Sequence, residues 1–130
     1  MSDAENPLES FKRATTATIR AIAGDDELDV VFGAGPPVVR GGTLRLPVPA
    51  VGANQTEIGA VRGVGDEFAL RFRHHNPQLH ARYSPEGGPA QEMFEWIESA
   101  RIASIGAMRM KGVAQNLDAH LEVQCKQAAF

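Results

Sequence analysis

Apolar residues near the start of the chain recur at spacings of three and four. Leu8, Phe11, Thr15, Ile19 and Ile22 therefore predict one face of a helix. Asn6 supplies a cap, Pro7 the first helical residue and Glu9 the position three beyond the cap, while Gly24 ends the run. From Leu28 to Val51 the pattern changes. The stretches "LDVVFG", "GAGPPVVRGG" and "TLRLPVPAV" are β-branched and cut by Gly and Pro, and Thr43 and Arg45 alternate with Leu44 and Leu46 as in a half-buried hairpin strand. Pro47 and Pro49 end that strand or push it to an edge. Because an isolated hairpin is marginal in water, a small two-stranded element leaning on helices is expected.

Between Gln55 and His75 the period is helical again. Ile58, Val61, Gly65, Phe68, Phe72 and His75 fall on a 3-4-3-4-3 seam of coiled-coil type. Gly59, Gly63 and Gly65 each cost about 1 kcal/mol relative to alanine in a helix interior, so they either permit close helix approach or mark a kink near Gly63. A Pro- and Gly-rich linker, "YSPEGGPA", leads to a helix over Pro89–Ala107, with Met93, Trp96, Ile97, Ala100, Ser104 and Ala107 on its apolar face and Glu92, Glu95 and Glu98 on the polar side. A last helix starts near Val113 and carries Leu117, His120, Leu121 and Gln124. Gly106 and Gly112 bracket "AMRMK", which leaves one bent rod or two helices. The expected fold is mostly α with a small β-hairpin: about four helices, the hairpin inserted after the first, in a single domain across residues 1–130. The final helix is still in register at Phe130, the pattern of a piece of a longer chain.

Composition narrows the function classes. A hydrophobic fraction of 43% with 22% charged residues is that of an ordinary globular domain, and 6% aromatics imply an aliphatic core anchored by Phe11, Phe68, Phe72, Phe94 and Trp96. A net charge of −3 argues against general nucleic-acid binding, which needs many cation–phosphate contacts. No apolar run approaches the roughly 20 residues of a membrane helix. The opening "MSDAENPLES" lacks the basic and apolar regions of a signal peptide, and Cys125 is the lone cysteine, so a reducing, cytoplasmic setting is expected.

Most candidate chemistry fails on its own terms. "DDELD" (residues 25–29) alternates acids like a calcium loop, but Val30 occupies the turn-glycine position and no terminal glutamate follows, which leaves a solvated acidic turn. "GAGPP" cannot cradle a phosphate, since Pro36 and Pro37 have no N–H to donate. Ser84 and Ser99 lack a nucleophile elbow, and Cys125 has little positive charge nearby beyond Lys126.

The stretch "RFRHHNPQLHARYSP" holds His74, His75 and His80 among Arg71, Arg73 and Arg82. On a continuous helix His74 and His75 diverge by about 100°, so both serve one metal only if the helix has ended. Pro77 disfavours a helical Asn76, which ends it there and lets His80 fold back. Glu86 is the nearest later carboxylate. Histidine at a helix C-terminus also complements the dipole without any metal. Metal ligation, capping and a basic corner facing a partner therefore all remain open. Met93, Met108 and Met110 at helical spacing read as packing residues before soft ligands.

The segments "NPLESFKRATTATIRAIAG", "EIGAVRGVGDEFALRFRHHNPQLHARYSP" and "MFEWIESARIASIGAMRMKGVAQNL" together resemble the N-terminal region of the CobT-type subunit of the aerobic, ATP-dependent cobaltochelatase. The distinctive parts are Arg71–His75 with Leu79–Arg82, then Glu98–Arg101 and Gly106–Met110, and the resemblance spans nearly the whole chain. It implies a place beside an AAA+ ATPase subunit and a large tetrapyrrole-binding subunit, which insert Co2+ into hydrogenobyrinic acid a,c-diamide during cobalamin synthesis. ATP, Mg2+ and the tetrapyrrole then belong to the partner subunits, and Co2+ is substrate. The family's acidic linker and C-terminal von Willebrand-type domain do not occur within these residues. The expected function is a non-catalytic assembly module with no cofactor of its own, contacting the ATPase subunit or a second copy, and the basic stretch supplies Arg71, Arg73, His74, His75 and Arg82 as the candidate contact residues. The alternative is a cobalt-handling module using His74, His75 and His80.

Overall fold

The computed structural model describes residues 6–128. The expectation attached to Phe130, and the first half of the N-terminal stretch (residues 1–5), lie outside the described residues. In chain order the elements are α1 (Pro7–Ala23), β1 (Asp29–Phe32), β2 (Val38–Arg40), β3 (Thr43–Leu46), α2 (Gln55–His74), α3 (Pro77–Tyr83), α4 (Gly88–Arg109) and α5 (Lys111–Gln127). The mostly helical expectation holds at the level of class. Its details change: among the described residues there are five helices rather than about four, and the hairpin is part of a three-stranded mixed sheet.

The sheet order is β1-β3-β2. β2 and β3 form the anticipated hairpin, Arg40 facing Thr43 across Gly41 and Gly42, both at positive φ as a tight two-residue turn requires. β1 then pairs in parallel with the other edge of β3, matching Val30 to Leu44 and Phe32 to Leu46. This centres β3, whose Leu44 and Leu46 are fully buried, so Pro47 terminates a central strand rather than confining it to an edge. Phe32 meets Phe11 of α1 edge-on, centroids 6.2 Å apart, which ties the sheet to the first helix.

α1 starts as its sequence indicates, Asn6 Oδ1 accepting from the Leu8 N–H and Gly24 closing the helix at φ 72°. α2 begins in a capping box: Asn54 Oδ1 accepts from the Glu57 N–H, and the Glu57 carboxylate accepts from the Asn54 N–H. α2 is the centre of the fold, packed against α1, α4, α5 and β3. Burial from several sides explains why the narrow seam fails. Phe72 is exposed, while Ala60, Ala69 and Leu70 join Gly63, Gly65 and Asp66 in the interior.

Glycine sets the packing distances. α2 runs unbroken through Gly63, so there is no helix break there. A Cβ at Gly63 would run into the Asn116 carbonyl of α5 and stand 2.8 Å from His120 Cβ; one at Gly65 would stand 2.8 Å from Ile19 Cδ1 of α1; one at Gly106 of α4 would collide with Leu70. The resulting core is aliphatic, as expected, with Ile19, Leu44, Leu46, Leu70 and Ile102 as its largest fully buried side chains. The aromatic anchors are not among them: Phe11, Phe68 and Phe94 are half-buried, and Phe72 and Trp96 face outward.

α4 and α5 are two helices, broken at Met110, whose extended backbone (φ −136°, ψ 114°) separates them by one residue. α4 also presents the face opposite to the one anticipated. Ile102 and Gly106 are buried, whereas Met93, Trp96 and Ile97 are more than half exposed. The close seat of Gly106 on Leu70 fixes the rotation of α4 about its axis, and that rotation turns the bulkier stripe away. No helix among the described residues is long and apolar enough to cross a membrane.

Candidate functional site

The chain leaves α2 at His75, which is extended (φ −87°, ψ 132°), and re-enters a helix two residues later. Asn76 makes this work: its Oδ1 accepts from the N–H groups of Gln78 and Leu79, both at 3.1 Å, and Pro77 occupies the first turn. The resulting short α3 was not anticipated. Its signal was present, since Asn76-Pro77 repeats the Asn6-Pro7 start of α1. One turn into α3, His80 comes back against His75, the two rings edge to face with centroids 4.9 Å apart.

Both histidines face α4. His75 Nδ1 lies 2.9 Å from Glu98 Oε1, and His80 Nε2 lies 2.6 Å from Glu95 Oε1. The two histidine side chains and Glu98 are each no more than 15% exposed, while Glu95 is 41% exposed. Phe94 covers His80, its ring centroid 4.7 Å away. Arg101 closes the cluster: its Nε and Nη2 donate to the two oxygens of Glu98 at 2.8 and 2.6 Å, and Nη2 also donates to the His74 carbonyl at 2.9 Å. That guanidinium thus caps the C-terminal end of α2 while orienting Glu98. A groove of about 370 Å³ runs beside these groups, with Tyr83 and Leu79 on its rim.

Electrostatics follow from the contacts. The Glu98 carboxyl is held down to about 2, chiefly by the Arg101 hydrogen bond, then by His75, with burial opposing both. Glu95 is also lowered, first by its hydrogen bond with His80. Ionised carboxylates only accept, so each facing imidazole nitrogen carries a hydrogen. Removal of those two hydrogens would leave ring lone pairs beside two anionic oxygens. One donor atom each from His75, His80 and Glu98 lies within 4.8 Å of the others, an arrangement able to hold a metal ion.

His74 is not in that group. Desolvation first, and then the charges of Arg109, Arg73 and Arg101, hold its pKa below the ordinary histidine range. By donor geometry the group gathered among the described residues is His75, His80 and Glu98, and not the expected His74–His75–His80 set. The arginines disperse as well: Arg71 Nη2 reaches Glu95 at 3.8 Å, Arg73 Nη1 donates to the Ile22 carbonyl of α1 at 3.5 Å, and Arg82 lies over the ring of Tyr83. Sequence reasoning missed Glu95, Glu98 and Arg101. Their three-residue spacing put them on one face of α4, but that face was assigned to solvent.

A second polar cluster sits between α1, α2 and α5. Asp66, only 2% exposed, accepts from Asn116 Nδ2 at 2.8 Å and borders a cavity of about 180 Å³ with Arg62, Thr15 and Thr18. Burial raises its pKa, against the lowering effects of Asn116 and Arg62.

Compared with known proteins, residues 5–130 match the family described as cobalamin biosynthesis protein CobT. No solved structure matches the chain.

Proposed function

The chain belongs to the family of cobalamin biosynthesis protein CobT and so takes part in cobalamin biosynthesis, and from that premise we propose that it is a non-catalytic assembly module of the ATP-dependent cobaltochelatase, docking on the AAA+ ATPase subunit. One observation carries the reading. Met93, Trp96 and Ile97 stand together on the outward side of α4 at 54%, 64% and 61% exposure. An aromatic residue flanked by apolar neighbours on a regular helix has the composition of a binding hot spot, and such a patch on a soluble surface calls for a partner. Arg82 and Tyr83 are both exposed on α3, with the Arg82 guanidinium over the Tyr83 ring. Arg71, Arg73 and His75 are engaged within the fold and contribute by holding it rather than by reaching out.

The test is co-purification with the ATPase subunit in a reconstituted chelatase. Trp96→Ala combined with Ile97→Asp is expected to abolish co-purification and chelatase turnover while the circular dichroism spectrum stays unchanged. Retention of the ATPase subunit by this variant sinks the proposal. So does loss of self-association alone, which would make a second copy of the chain the occupant of α4. Cobalt handling by the original three-histidine set has less support, because His74 stands apart from the other two donors.

A further inference from the structure

We infer that His75, His80 and Glu98 form a binding site for an exchangeable divalent transition-metal ion at the junction of α2, α3 and α4. The inference stands on donor geometry and is independent of the assembly reading. Imidazole nitrogen with carboxylate oxygen is a donor set suited to zinc and its first-row neighbours, not to Ca2+ or Mg2+, which prefer oxygen alone. The three donor atoms lie within 4.8 Å of one another. Bonds of about 2.0–2.1 Å in a tetrahedral shell put ligand atoms roughly 3.4 Å apart, so the gap closes by side-chain rotation without moving a helix.

The surroundings are those of a built site. His75 caps the end of α2 and His80 lies in α3, and Asn76 fixes the turn that brings the two rings together. Glu98 is pre-oriented by the Arg101 fork, the kind of outer contact that aims a metal ligand. Phe94 packs on the His80 ring and restricts its motion. A bare structural account needs one histidine–glutamate pair to join α3 to α4. Two pairs with their rings in contact exceed that need.

The same surroundings set the strength of binding. Arg101 shares Glu98, and Arg71 lies 3.8 Å from Glu95, so two guanidiniums oppose an incoming dication. Three protein donors also leave a coordination position open to water or to Glu95, unlike the closed four-ligand shell of a structural zinc. Binding replaces the hydrogens that the ring nitrogens now direct at the carboxylates: in a neutral imidazole the proton moves to the other ring nitrogen, and from an imidazolium it leaves to solvent. The ion is therefore held in exchange with solvent, as for transfer, and not locked into the fold.

The experiment is a calorimetric titration of the chain with Zn2+ and, separately, Co2+ at pH 7.5. Saturable binding at one ion per chain is expected, with affinity reduced by at least about tenfold in His75→Ala, His80→Gln and Glu98→Gln, the loss of one donor in three. His74→Ala is expected to bind within about twofold of the unaltered chain, since its ring is outside the donor group. Absence of saturable binding overturns the inference, as does affinity that survives in the His75 and His80 variants. Should those variants fail to fold, imidazole 15N spectra of the unaltered chain give the same decision. Zn2+ must then shift the ring nitrogens of His75 and His80; unchanged spectra, or shifts confined to His74 or His120, overturn it.

Discussion

His75 and His80 touch edge to face, 4.9 Å between ring centroids, yet each is bonded to a different glutamate of α4. Two helices are thereby latched to a third through one pair of rings. The latch accounts for the position of a seven-residue helix whose best-covered side chain is that of His80 itself.

That latch predicts acid sensitivity. Glu98 has a folded-state pKa of about 2, below its ordinary value of 4.5. A depressed carboxylate contributes stability above its unfolded pKa and loses it as pH falls through the folded one. The window is thus pH 4.5 down to about 2. Thermal unfolding of Glu98→Gln is expected to show lower Tm than the parent at neutral pH, with the two converging across that window. Parallel curves would mean that the Arg101–Glu98 pair does not contribute.

Asp66 predicts the opposite sign. Burial raises its pKa, so its contribution is most favourable below 3.8 and is lost as pH rises through the higher folded value. Asp66→Asn keeps a group that can accept from Asn116 and removes the buried charge. Its Tm is expected to exceed the parent's at pH 7 and to meet it near pH 3. A lower Tm at pH 7 would show that Arg62 stabilises the carboxylate more than burial opposes it.

The orientation of α4 is testable by truncating each face. Ile102, 2% exposed, is expected to cost about 2–5 kcal/mol as Ile102→Ala in urea unfolding. Trp96→Ala, at a 64% exposed position, should fall within about 0.5 kcal/mol of the parent. Reversal of this order would put the bulky stripe inside.

Two glycines separate close approach from mere permissiveness. Gly63→Ala forces a methyl against the backbone carbonyl of Asn116, which cannot rotate away, and should destabilise by about 1–3 kcal/mol. Gly112→Ala, with open space around it in the first turn of α5, should stabilise by up to about 1 kcal/mol. Equal effects at both sites would mean that α5 moves to accommodate the methyl.

What the sequence determined by itself is local. Asn6-Pro7 and Gly24 bound α1, Asn54 and Glu57 start α2, and the alternation of Leu44 and Leu46 sets the buried face of β3, because caps and strand alternation depend on atoms within a few residues. Asn76-Pro77 carried the same information for α3 and was legible in principle. The third strand was not, since β1 is placed by the free edge of β3, eleven residues beyond its end and more. Nor was the azimuth of α4. Its bulkiest apolar stripe points outward because Gly106 seats on Leu70, a contact between helices that hydrophobic periodicity cannot register. The donor cluster depends on that same rotation: Glu95 and Glu98 share a face in the sequence, but only the packing of α4 on α2 turns that face towards His75 and His80.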